Sequence, residues 1–148
     1  CDMGIPELTE LQAGSYAVMD AEYLAIGSAS NPAQFETFQP ALTLLTTVVS
    51  ANQTGYVTLD AGLKAVYQHG GRPYPVSERD LGSTYDWFGD EYGRLTPAAN
   101  ARQLRVGDVV ELVVSHCDPT INMYETFMVT QAGRVKEVWP IDLRGCCR

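Results

Sequence analysis

The chain reads as mainly β, a barrel or a sandwich, and three observations predict this. About six runs are short and rich in β-branched or aromatic residues, the composition that suits a pleated, half-buried surface. No long stretch carries the 3.6-residue period of an amphipathic helix. Clusters of Gly, Pro, Asn and Asp separate the runs closely enough for hairpin connections. With 148 residues and 45% hydrophobic content, the chain has the apolar side chains for one core.

The elements follow in order. Residues 1–8 contain Gly4 and Pro6 and are expected to be a lead-in. Residues 10–23 are expected as a strand, since Tyr16, Val18 and Asp20 alternate with Ala17 and Met19; a helical start at Thr9 is the alternative. Residues 28–40, rich in Ser, Asn and Pro, form a loop. Residues 42–50 (Leu-Thr-Leu-Leu-Thr-Thr-Val-Val-Ser) are the strongest strand, and 52–55 turn it back into a hairpin partner over 56–60. Residues 61–68 are long enough only for a single turn before His69-Gly70-Gly71. Residues 72–93, with Pro73, Pro75 and several glycines, read as one long connection, the kind of loop that often carries function. Gly107-Asp108 turns into a strand beginning at Val109. Residues 124–130 and 134–139 flank Gln131-Ala132-Gly133 as a second hairpin.

Charge and composition exclude several classes. A net charge of −8 and a pI near 4.6 do not suit nucleic acid, whose phosphates call for a basic surface. No apolar run approaches the roughly 20 residues of a membrane-spanning helix. The N-terminus shows neither the basic nor the apolar region of a signal peptide, so Asn52-Gln53-Thr54 is a chance match to the glycosylation pattern. Cysteines at 1, 117, 146 and 147 have no metal-ribbon or disulfide-framework spacing, and a reduced, cytoplasmic protein is expected. A start at Cys1 suggests processing, or a piece of something longer.

The most informative stretch is His116-Cys117-Asp118-Pro119. If the strand from Val109 runs on to Asp118, side chains two apart share a face. His116 and Asp118 then project together from the side of Val110, Leu112 and Val114, and Cys117 points away as a small buried hydrophobe. Pro119 should stop the strand. Such a pair is either a hydrogen-bonded couple at the edge of a core or two ligands of a divalent metal with open coordination positions. Nitrogen and oxygen donors together suit manganese, zinc, cobalt or iron.

Three segments in order, Thr9-Glu10-Leu11-Gln12-Ala13-Gly14-Ser15-Tyr16, Leu59-Asp60-Ala61-Gly62-Leu63-Lys64-Ala65 and His116-Cys117-Asp118-Pro119-Thr120, carry a resemblance. The chain resembles the C-terminal domain of the metal-activated, pyridoxal-phosphate-dependent D-threonine aldolase and D-serine dehydratase family, of the alanine racemase-like fold type III. The resemblance covers about residues 7–145. It implies an antiparallel, barrel-like domain with few short helices over 9–148, and a lead-in over 1–8 from an N-terminal (β/α) barrel that holds the cofactor.

The resemblance assigns the metal (manganese, zinc or cobalt) to His116 and Asp118. It implies a lyase acting on a small D-β-hydroxy amino acid, with pyridoxal phosphate as electron sink and a homodimer as the assembly. Asp at position 118 leans towards the aldolase, which releases glycine and an aldehyde; the dehydratase, which yields a keto acid and ammonia, tends to carry Cys there. The family often has an acidic pair followed by His near the substrate, which maps onto Asp90, Glu91 and Tyr92, with Tyr92 departing from the pattern. Asp90 and Tyr92 are therefore substrate-binding candidates, beside the alternative of a solvated acidic loop. Lys64 is expected to be an exposed or ion-paired lysine and not the cofactor lysine, which should lie upstream. His69 reads as a flexible-loop histidine.

Two other classes remain open at this point. One is a non-catalytic β-module whose aromatics Tyr85, Trp87, Phe88 and Tyr92 are exposed for contact. The other is a racemase-type domain, which has no need of a metal at the β-oxygen.

Overall fold

Eight strands carry the fold of the computed structural model, which describes residues 5–10 and 12–146: β1 (Thr43–Ser50), β2 (Val57–Leu59), β3 (Tyr74–Pro75), β4 (Thr84–Trp87), β5 (Gly93–Thr96), β6 (Val109–Val113), β7 (Thr126–Gln131) and β8 (Arg134–Pro140). Two short helices, α1 (Ala21–Leu24) and α2 (Cys117–Ile121), accompany them. The first six strands form one antiparallel, barrel-like sheet in the order β3-β6-β1-β2-β5-β4. The mainly β expectation holds. Cys1 and Cys147 lie outside the described residues.

Alternation along the strands aims one set of side chains inward. In register, Leu44 faces Leu112, Thr46 faces Val110, Val57 faces Leu95, and Tyr85 also faces Leu95. Val48, Val57, Leu59, Tyr85, Leu95, Val110 and Leu112 join Val66, Leu104, Val114 and Cys117 in one buried cluster. Each aliphatic side chain fully removed from water there stabilises the fold by about 1.5–3 kcal/mol before entropy is counted. The sheet's polar tips are satisfied: the Tyr85 hydroxyl donates to Ala61 O at 2.7 Å and the Trp87 indole N–H to Val66 O at 3.0 Å. Gly93, opposite Trp87, leaves room for the Tyr85 ring, which a Cβ would strike.

Four expectations need correction. Residues 10–23 are not a strand: a 3-10 turn (Ser15–Ala17) is followed by α1. Met19 at φ 54° breaks the extended alternation, and Asp20 caps α1 by accepting from Tyr23 N at 2.8 Å. Nor does the helix start at Thr9. Second, the connection over 72–93 contains β3 and β4 and leads straight into β5; these strands are only two to four residues long, too short for a period to show. Pro75 sits on the edge strand β3, where a missing donor is tolerated. Third, Tyr85 is fully buried and Trp87 half-buried, leaving only Phe88 and Tyr92 of that aromatic group exposed. The fourth concerns β6 and is taken up with the site.

The second hairpin is as expected. Ala132 (φ 51°) and Gly133 (φ 72°) make a two-residue turn with both residues left-handed, which matches the twist of paired strands. It forms a separate two-stranded sheet, and every residue of β8 is exposed.

Candidate active-site wall

The site is assembled where the end of β6 meets α1. Two α1 backbone donors lack helical partners: Ala21 N donates to Val114 O at 3.0 Å and Glu22 N to Ser115 O at 3.2 Å. The N-terminus of α1 is thereby docked against the chain that continues from β6, and its cap residue, Asp20, lands beside His116.

Contrary to the expectation from spacing, β6 does not run on to Asp118. It ends at Val113; His116 keeps an extended backbone (φ −143°, ψ 126°) as the cap of α2, and Asp118 and Pro119 lie in that helix's first turn. Pro119 is tolerated there because N–H groups of the first turn have no helical acceptor. The shared face is lost with the strand. Cys117, not His116, joins Val110, Leu112 and Val114 in the core; it is buried as expected, with its thiol pushed up to about 12 chiefly by that burial.

His116 and Asp118 are instead linked through one segment of the chain. Asp20, with no exposed surface, accepts from His116 Nδ1 at 3.0 Å and from Cys117 N at 2.8 Å through the same oxygen, Oδ2. Its other oxygen caps α1, so one carboxylate serves the starts of both helices. The buried Ser15 hydroxyl donates to Asp118 Oδ2 at 3.0 Å. An acceptor-only carboxylate on Nδ1 leaves the proton of the neutral ring there and Nε2 as a lone-pair donor.

Aromatic and acidic groups surround this pair. The Tyr23 ring stacks on His116 at 6.1 Å between centroids and 15° between planes. Glu22 Oε2, buried and without a hydrogen bond, lies 3.6 Å from His116 Nδ1. His69 is brought here too: its ring centroid is 5.9 Å from that of His116, and its Nε2 is 3.9 Å from Glu22 Oε1. The His-Gly-Gly sequence explains the approach. Gly70 has φ +66°, a Cβ there would run into Glu22, and one on Gly71 would press on Ala21. The loop is also tied to α2, since Tyr67 N donates to the Thr120 hydroxyl at 3.2 Å and the Ser115 hydroxyl donates to Tyr67 O.

The acidic patch is held by a different part of the chain. Asp90 and Tyr92 belong to the turn between β4 and β5, docked on residues 62–64 through Leu63 N to Gly89 O (3.1 Å) and Lys64 N to Asp90 O (3.0 Å). Lys64 is exposed and pairs with Glu91, whose hydrogen bond raises the lysine pKa. Among the described residues, no hydrogen bond or ion pair connects this turn to His116. Ser15, Asp20, Glu22 and Tyr23 escaped the sequence reading. The signal was an Asp immediately before a helix-forming Ala-Glu-Tyr-Leu run, hidden under an apparent alternation.

No group of three or more His, Cys, Asp or Glu side chains arranged to hold a metal is found among the described residues. A metal here would take two ligands from this chain, His116 Nε2 and the Asp118 carboxylate. That donor chemistry fits a divalent ion with open positions. Two recesses, of about 200 and 330 Å³, share Tyr74 and Leu81 in their walls and do not touch His116. None of the side chains of this cluster lines either recess.

Comparison with known proteins agrees with the mainly β fold. Residues 41–130 match the family described as "Putative serine dehydratase domain". The chain is 42% identical over 142 residues to a D-threonine aldolase of Arthrobacter sp, covering 95% of this chain and 35% of the relative. It is 38% identical to a 3-hydroxy-D-aspartate aldolase of Paracoccus denitrificans, covering 92% and 34%. It spans about a third of the length of these curated relatives. A crystal structure of D-threonine aldolase from Filomicrobium marinum superposes with a TM-score of 0.82 at 34% identity, over 94% of this chain and 37% of that one. D-threo-3-hydroxyaspartate dehydratase from Delftia sp. HT23 shares the fold, with a TM-score of 0.55 at 19% identity over 68% of this chain and 32% of that one. With its β1–β7 region matched by that family over more than half of its length, the chain belongs to the serine dehydratase domain family.

Proposed function

We propose that this chain is the metal-holding C-terminal wall of the active site in a longer, pyridoxal-phosphate-dependent lyase. Its substrates would be small D-β-hydroxy amino acids, cleaved between Cα and Cβ to glycine and an aldehyde, as a D-threonine aldolase does. One observation carries the reading: a buried carboxylate holds Nδ1 of His116 and leaves Nε2 as the donor atom of the ring, two residues before Asp118 in the sequence. This occurs in a chain 42% identical to a D-threonine aldolase. A site completed by an upstream barrel fits a chain that spans about a third of the length of its relatives, and the isolated chain should have no activity.

A divalent metal, when bound, supplies a Lewis acid for the substrate's β-oxygen, and pyridoxal phosphate, held upstream, supplies the electron sink. This chain's residues hold and orient. His116 offers Nε2 and Asp118 its carboxylate; Asp20 and Ser15 fix the two from behind; the Tyr23 ring covers one face of the imidazole. Glu22 and His69 add ionisable groups at the same wall. Asp90 and Tyr92 are proposed to meet the substrate from the turn between β4 and β5. A dehydratase reaction, giving a keto acid and ammonia, is the second reading, favoured by the family's description and by the dehydratase fold match.

We further place the enzyme in the cytoplasm, in keeping with unpaired Cys117 and Cys146, and as a homodimer on the family resemblance. The test is the full-length parent assayed on D-threonine, D-serine and 3-hydroxy-D-aspartate. Glycine with an aldehyde supports the first reading, and ammonia with a keto acid the second. Activity that survives chelation, or survives His116→Ala and Asp118→Ala, would overturn the metal assignment.

A further inference from the structure

We infer that the segment from Ser15 to Leu24, which precedes the matched family region, is a clamp that positions both metal-ligating side chains. Asp20 fixes the tautomer and plane of His116, and Ser15 fixes the carboxylate of Asp118. This rests on the proposed reading of His116 and Asp118 as ligands.

His116 and Asp118 occupy a helix cap and a first turn, and within α2 itself the one side-chain contact to either is the Cys117 thiol on Asp118 Oδ1 at 3.5 Å. His116 makes no side-chain capping bond to its own helix. Its ring is held by Asp20 Oδ2 at 3.0 Å, across 96 residues of sequence, and by the Tyr23 ring from the same segment. Asp118 is held by Ser15 at 3.0 Å, across 103 residues. Asp20 cannot turn away, because it is fully buried and also accepts from Tyr23 N and Cys117 N. The segment is anchored in turn by Ala21 N and Glu22 N on Val114 O and Ser115 O, and by Ala41 N and Leu42 N on Val18 O. Carboxylates that hold the second nitrogen of a ligating histidine fix its orientation and raise its basicity; losing one typically weakens metal binding 10–100-fold. Asp20 and Ser15 are therefore positioning residues.

The experiment uses the full-length parent with its metal removed. It combines manganese and zinc titrations by calorimetry with nitrogen-15 NMR of the His116 ring at pH 8. In the wild type, the ring should be the Nδ1–H tautomer. Asp20→Asn, which must turn its amide donor onto the backbone N–H of either Tyr23 or Cys117 and loses the charge facing Nδ1, should weaken metal binding at least tenfold. Ser15→Ala should weaken metal binding about threefold or more and leave the His116 tautomer and the thermal midpoint unchanged. If Asp20→Asn does not fold, Ser15→Ala with the wild-type tautomer decides the matter. A wild-type Nε2–H tautomer, or affinity within twofold of wild type in every folded variant, would overturn the clamp. A wild type that keeps the Nδ1–H tautomer and binds neither metal would overturn the ligand reading and leave the Asp20–His116 lock standing.

Discussion

Removing Arg102 should expose the cost of a buried, uncompensated carboxylate. Asp80 is 1% exposed and sits in the loop that leads into β4. Its Oδ1 accepts from Arg102 Nε at 2.9 Å, and its Oδ2 is buried with no partner. Arg102 also donates through a terminal nitrogen to Val109 O at 2.7 Å, so the guanidinium ties that loop to the start of β6. Arg102→Met keeps the side-chain length and removes the charge and both bonds. Breaking a buried pair by deleting one partner costs about 3–5 kcal/mol. The Arg102 side chain is 31% exposed, so water can reach the vacated position, and the low end of about 3 kcal/mol is expected. That is about two decades in the folding constant, and a large share of a typical domain's margin of about 5–15 kcal/mol. Asp80→Asn combined with Arg102→Met should recover at least half of the loss, because no charge is then left buried. Urea unfolding followed by circular dichroism reads all three proteins. A single variant within about 1 kcal/mol of wild type, or a double variant less stable than the single, would refute the reasoning.

Three other outcomes follow from the same geometry. Gly70→Ala forces a left-handed Ala and drives a methyl into Glu22; it should cost about 1–2 kcal/mol and perturb the His116 NMR signals, and unchanged signals would contradict the close approach. Burial pushes the Tyr85 phenol well above its ordinary value near 10. Because the folded state resists its ionisation, the stability it contributes is full below pH 10 and drains as pH rises past that value; Tyr85→Phe should flatten that alkaline loss in urea titrations, and an identical slope would contradict it. Cys117, fully buried, should resist alkylation at pH 8 in the native protein while exposed Cys146 reacts, as read by peptide mass mapping.

The sequence by itself determined the strands marked by a run of β-branched residues or by a clear turn between two runs. β1 and β2, the beginning of β6 and the β7–β8 hairpin were legible because alternation and turn residues act over a few neighbours. It also marked His116 and Asp118, and Cys117 as a buried neighbour. It missed β3, β4 and α1, whose two to four residues hold no period and form because a neighbouring strand or the backbone after β6 accepts their hydrogen bonds. What only the tertiary structure decided is the way the site is held. The expected shared strand face for His116 and Asp118 does not form: the chain leaves the sheet at Val113, and Cys117 takes the core position. Asp20, Ser15 and His69 reach the site across 96, 103 and 47 residues of chain respectively. A hydrogen bond between such residues leaves no periodic trace in the sequence, because its partners are chosen by the docking of α1 against the end of β6 and not by spacing along the chain.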